Sequence, residues 1–138
     1  MYLFDSDVLG NLTRKKPSES LIRRLAETFQ EDCFTSSITL AEIYYGIHKR
    51  PDRKPVLAIL EERVFPLFAV LDFDETSART YGEIRAHLER QGQTRDDLDL
   101  QIAAIAVQHR LTLVTGNVKH FRGVPGLIVE NWLDSEKS

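Results

Sequence analysis

Much that would mark a well-known chemistry is missing from this chain. One cysteine, Cys33, stands among 138 residues, so no internal disulfide can form and the usual multi-cysteine zinc sites are excluded. Its apolar surroundings predict a buried thiol. No apolar run approaches the ~20 residues of a membrane span, and no leader-like segment precedes the first apolar run. The expectation is a cytoplasmic protein with no membrane partner. The four histidines include no pair at zinc-ligand spacing and look incidental; His48 and His109 are expected at helix ends, where a cation suits the dipole. There is no glycine-rich phosphate loop, no G-x-S-x-G turn, no internal repeat and no linker. An excess of basic residues is missing too. The net charge of −3 argues against a passive coat for nucleic acid, which would be basic.

What remains is an ordinary globular composition, 42% hydrophobic and 28% charged, which predicts one domain over residues 1–138. Short apolar runs predict strands at about 1–5, 32–37, 67–72, 111–115 and 127–130. Apolar residues at helical spacing predict helices over about 18–30, 39–49, 55–64, 75–91 and 97–109. In the first of these Leu21, Ile22, Leu25 and Phe29 share one face, and the pair at 39–64 is expected to form a helical hairpin broken at Pro51-Asp52. Strands alternating with helices point to an α/β fold, a three-layer α/β/α arrangement around a parallel sheet with right-handed crossovers.

Acids stand at informative places in that pattern. Asp5 follows Met1-Tyr2-Leu3-Phe4, an apolar run that reads as a strand buried on both faces, and open α/β sheets place ligands outside the carboxyl ends of such strands. Capping the next helix, over about 7–12, is the competing role for Asp5. Ser6 and Asp7 divide between the same two roles, capping that helix or touching water at a metal. Thr39-Leu40-Ala41-Glu42 fits a capping box, which would occupy Glu42 at the helix start. Within Asp96-Asp97-Leu98-Asp99, Asp96 or Asp97 would serve as N-cap, and one cap does not account for three acids. Asp99 leads into an apolar helix, where a buried acid needs a partner. Thr115-Gly116-Asn117 ends another strand, and Asn117 taken alone is a turn residue. Several carboxylates in one crevice raise one another's pKa values unless a cation neutralises them, so an acidic metal site is the leading expectation.

In order along the chain, Met1-Tyr2-Leu3-Phe4-Asp5-Ser6-Asp7-Val8-Leu9, Ser36 to Gly46, Asp99 to Ala104, Leu113-Val114-Thr115-Gly116-Asn117, His120 to Leu127 and Val129-Glu130-Asn131-Trp132 resemble the motifs of PIN-domain ribonucleases. The ending is similar to that of the VapC toxins of type II toxin–antitoxin pairs. The resemblance implies a parallel five-stranded sheet with helices on both sides. It implies an acidic quartet from Asp5, Glu42, Asp99 and the position of Asn117, with Mg²⁺ or Mn²⁺ held by Asp5, Glu42 and Asp99. Ser6 and Thr115 would help orient water at the metal, and Asp7 and Asp97 stand as supporting residues. It further implies an RNA substrate, a cognate VapB-type antitoxin laid over the crevice, and hetero-oligomers with that antitoxin. Asp7 stands where the family commonly has Asn, and Asn117 where many members have Asp, so one charge is moved across the site.

Hard cations on carboxylates supply what phosphodiester hydrolysis needs without a histidine base. Arg14-Lys15-Lys16, Arg50, Arg53, Lys54 and Lys119 are candidates for RNA phosphates. Leftover apolar helix surface, such as Tyr44-Tyr45 and the helix at 18–30, suggests a twofold homodimer. Two other functions compete. The strand followed by Asp5-Ser6-Asp7 also looks like the haloacid-dehalogenase phosphohydrolases, with Asp5 as nucleophile, although no lysine stands where an aspartyl phosphate would need one. The other is a catalytically weak module that binds RNA or protein.

Overall fold

In the computed structural model, which describes residues 1–133, five short strands pair in parallel: β1 (Tyr2–Phe4), β2 (Cys33–Ser36), β3 (Ala69–Leu71), β4 (Thr112–Val114) and β5 (Val129–Glu130). Their order across the sheet is β3-β2-β1-β4-β5. The chain works outward from β1 to β2 and β3, then crosses back to lay β4 on the other side of β1. The seam between β1 and β4 is therefore the topological switch point, where such sheets open a crevice at their carboxyl ends.

Among the described residues six α-helices flank the sheet: α1 (Ser6–Asn11), α2 (Glu19–Ala26), α3 (Ser37–Lys49), α4 (Lys54–Ile59), α5 (Glu75–Arg90) and α6 (Asp97–His109). Side chains of the central strands alternate between two cores, as a period of two requires. Leu3 and Leu113 pack with Ile84, Leu88, Ile102 and Ile105 of α5 and α6. Phe4 and Val114 pack on the opposite face with Val8, Leu9, Leu21, Leu60 and Trp132. Cys33 lies in this second core, buried as its sequence neighbours predict. Three layers result, and both faces of the sheet are covered, which is why its strands read as unbroken apolar runs.

Several boundaries differ from the sequence expectation for local reasons. Helix α3 begins at Ser37, two residues early, because Ser36 caps it: the Ser36 Oγ accepts from the Thr39 backbone N–H at 2.9 Å. Helix α2 stops at Ala26, where the Thr28 hydroxyl donates to the Arg24 carbonyl at 2.7 Å. Phe29, expected on the apolar face of that helix, thus falls outside the helix and is exposed. The predicted helix at 55–64 divides into α4 and a π turn over Leu60–Val64. Tyr44, expected as leftover surface, donates its hydroxyl to Glu61 at 2.9 Å and meets the Phe65 ring at 6.1 Å. No helix among the described residues is long and apolar enough to cross a membrane.

Candidate metal and active site

Asp5 leaves β1 at the switch point, its backbone N–H still paired to the Val114 carbonyl of β4 at 3.0 Å. Both carboxylate oxygens are anchored. One accepts from the Ser6 N–H at 2.8 Å and caps α1; the other accepts from the Thr115 hydroxyl at 2.9 Å. The Thr115 hydroxyl in turn accepts from the Asn117 N–H at 3.0 Å. A run of bonds therefore links the turn after β4 to the turn after β1 and fixes the orientation of the Asp5 carboxyl. Asp5 caps α1 through one oxygen and also lines the cleft.

Glu42 rises from α3, the helix that follows β2. The capping box expected at Thr39 is not formed: Ser36 is the N-cap, and Thr39 bonds Ser36 through both its N–H and its hydroxyl. Glu42 lies well inside the helix and has no capping duty, which leaves its carboxyl free for the cleft. Asp99 is the third residue of α6. Asp96 caps that helix, accepting from Leu98 N–H at 2.9 Å and Asp99 N–H at 3.3 Å, so the Asp99 carboxyl carries no capping duty. Asp97 turns away from the cleft, accepting from the Tyr81 hydroxyl at 2.9 Å and the Arg85 guanidinium at 3.2 Å.

These elements form a cleft of about 280 Å³ lined by Asp5, Ser6, Glu42, Asp99, Asn117 and His120, together with Asp96 and Leu98. Burial pushes the Asp5 carboxyl up to about 6, and the nearby Asp7 and Asp99 charges add to the effect. Burial also raises Glu42, to about 7, reinforced by Asp5, Asp99, Asp96 and Asp7 in turn. Asp99 is raised by burial and by Asp96, with His120 opposing.

His120 was missed by sequence reasoning. Its Nδ1 lies 3.4 Å from Asp99 Oδ2, placed there by the tight helical turn Val118–Phe121. The signal was its position three residues after Asn117, which one helical turn brings round to the same side.

Asp7 is held behind the loop that carries Asn117. Its Oδ2 accepts from the Gly116 N–H at 2.8 Å, with the Asn117 side-chain amide 3.5 Å away, while its Oδ1 is buried with no hydrogen-bond partner among the described residues. Gly116 is closely approached: a Cβ there would stand 2.6 Å from Asp7 Oδ2 and 2.9 Å from Leu133 Cδ1, so the ends of those two side chains would have to shift.

Carboxylate, amide and hydroxyl oxygens are the hard donors that Mg²⁺ and Mn²⁺ prefer, and three mutually repelling acids around one cleft are relieved by a cation. In donor chemistry the residues fit such an ion. Among the described residues no three acidic or histidine side chains are drawn together tightly enough to hold one as they stand; they share the cleft without forming a closed shell.

The sequence profile of the PIN domain matches residues 2–127. The chain is 33% identical over 132 residues to a protein of Haemophilus influenzae named ribonuclease VapC2, covering 96% of this chain and 98% of that one. It is 39% identical over 131 residues to the tRNA(fMet)-specific endonuclease VapC of Salmonella typhimurium, covering 95% and 97%. Its fold superposes with a TM-score of 0.85 on a chain of the DNA-bound VapBC complex from Salmonella typhimurium, at 32% identity and with 95% and 97% of the two chains covered.

Proposed function

The chain belongs to the PIN domain family, and from that premise we propose that it is a metal-dependent endoribonuclease acting as the toxin of a VapBC-type toxin–antitoxin pair. The observation that carries this reading is the convergence of Asp5, Glu42 and Asp99, from three separate elements, on one cleft at the switch point of the sheet. Asp5, Glu42 and Asp99 would hold Mg²⁺ or Mn²⁺, with the Asn117 amide oxygen as the uncharged fourth donor. A bound divalent cation supplies phosphate neutralisation, a more acidic attacking water and stabilisation of the leaving oxygen. The chain's own residues prepare for this. Ser6 N–H and the Thr115 hydroxyl hold the Asp5 carboxyl in one orientation. His120 lines the cleft with its Nδ1 3.4 Å from Asp99 Oδ2, within reach of a substrate phosphate.

The partners in this reading are an RNA substrate and a VapB-type antitoxin whose terminal segment covers the acidic cleft with a basic residue. A homodimer through exposed apolar surface such as Ile22 and Phe29 belongs to the same proposal, as do a single domain and a cytoplasmic location. The phosphohydrolase alternative is not favoured. Relatives matched along nearly the whole chain include nucleases by name, and Asp7, which would be its second acid, is bonded to the Gly116 backbone.

Inducible expression with and without the neighbouring reading frame, followed by mapping of new RNA ends, tests the toxin role. Growth arrest relieved by the neighbour, with new 5′ ends that need Mg²⁺ and vanish in EDTA, is expected. RNA retained uncut in both conditions would instead identify a binding module.

A further inference from the structure

Beside the acidic cleft, and sharing Ser6 and Glu42 with it, runs a groove of about 430 Å³ between α1, α3 and α4. Its size falls within the range of sites for small organic groups. Ile43, Val56 and Leu60 line its interior, while Lys49, Arg50 and Arg53 stand along it. Arg50 is partnered by Asp52 at 3.1 Å.

Two glycines line this groove from facing helices, Gly10 on α1 and Gly46 on α3. Glycine inside a helix costs stability relative to alanine, so each needs a reason. Neither has a positive φ, and a Cβ at either would meet no atom within 4 Å. Backbone conformation and close packing are thus both excluded as reasons. Gly82 of α5 is equally unhindered, so one such glycine would mean little. Two that line one groove, from α1 and α3, beside the carboxylates leave open space where side chains would otherwise stand.

Tyr45 identifies the guest. It lines the groove yet is 66% exposed, with the Lys49 ammonium 5.7 Å from its ring centroid. Glu42, Tyr45 and Lys49 lie at spacings of three and four on α3, so a carboxylate of the acidic cleft, an aromatic face and a cation follow one another along one helix face. An aromatic platform beside cations is how single-stranded nucleic acid is held, the ring under a base and the cations at phosphates. We propose that this groove is a nucleoside subsite, which receives one unpaired base of an RNA strand next to the bond to be cut. Tyr45 stacks on the base, Gly10 and Gly46 make room for it, and Lys49 and Arg53 hold the adjoining phosphate.

The proposal rests on the ribonuclease reading, and its test separates the two. Steady-state cleavage of a single-stranded RNA oligonucleotide is measured with Mg²⁺ for wild type, Gly46→Leu and Tyr45→Ala. The same RNA carrying one abasic residue beside the cut bond is measured in parallel. Gly46→Leu should melt no lower than wild type, since its side chain enters open space, yet lose at least tenfold in kcat/KM. Tyr45→Ala should lose roughly five- to a hundredfold, the effect of one stacked base. Wild type should lose as much on the abasic RNA, and Tyr45→Ala no more on that RNA than wild type does. If wild type cleaves no RNA, the ribonuclease reading falls and the subsite with it. Cleavage by both variants within twofold of wild type overturns the subsite alone, and loss of an antitoxin from those variants would then make the groove a protein-docking surface.

Discussion

The carboxyl groups that face the cleft are held against their own ionisation. Asp5 sits near 6 and Glu42 near 7 because burial removes water and neighbouring acids repel. Neutral isosteres therefore remove a liability from the ion-free fold. Asp5→Asn, Glu42→Gln and Asp99→Asn should each abolish Mg²⁺-dependent cleavage, while melting at pH 7 in EDTA stays level or rises. A variant that keeps near-full cleavage would take that residue out of the site. Asn117 brings a donor without a charge. One full charge facing a cation a few ångströms away contributes on the order of kcal/mol even when partly screened. Asn117→Asp should accordingly lower the Mg²⁺ concentration for half-maximal cleavage. An unchanged midpoint, together with a large loss in Asp7→Asn, would make Asp7 the residue that completes the charge.

Helix starts and strand ends decide which acids are free. Since Ser36 rather than Thr39 caps α3, Ser36→Ala should cost about 0.5–2 kcal/mol in urea unfolding, whereas Glu42→Ala should cost nothing attributable to a cap. Equal losses in the two would restore the capping box. The turn after β4 depends on the close fit of Gly116 against Asp7 and Leu133. Gly116→Ala should cost about 1–3 kcal/mol, the usual scale of overpacking, and should weaken cleavage by moving Thr115 and Asn117. Stability within 0.5 kcal/mol of wild type would show that the loop yields freely. The same element explains the Asp7 charge, which is spent on a backbone N–H behind the site.

For the whole molecule, the raised acids set a pH dependence opposite to that of a salt-bridged protein. A carboxyl whose folded pKa lies above its unfolded value binds more protons in the fold, so stability falls as pH rises between the two values. For Asp5 and Glu42 that window runs from about 4 to about 7. Metal-free protein should lose on the order of a few kcal/mol across it, and divalent cation should restore the loss at pH 7 while releasing protons. Calorimetric titration in buffers of different ionisation enthalpy measures that release, and a proton count of zero would mean that these acids are already ionised. Cleavage should rise from pH 6 to above 7 as the same groups ionise.

The order of elements, the parallel sheet, its two covered faces and the places of Asp5 and Asp99 beside a strand end and a helix start were legible in the sequence, because hydrophobic periodicity is a local property; Glu42, which local spacing assigned to a capping box, was singled out for the cleft only by the family resemblance. The roles of individual polar groups were not. Whether Thr39 or Ser36 caps α3, whether Asp97 faces the cleft or Arg85, and whether Asp7 meets an ion or the Gly116 N–H depend on contacts between residues far apart in the chain. His120 and the open groove at Gly10 and Gly46 are of the same kind. The alternation of apolar and polar residues determined which segments pair and pack, and only the tertiary structure decided where their polar ends meet, since hydrogen bonds and charge are settled over a few ångströms that no sequence spacing specifies.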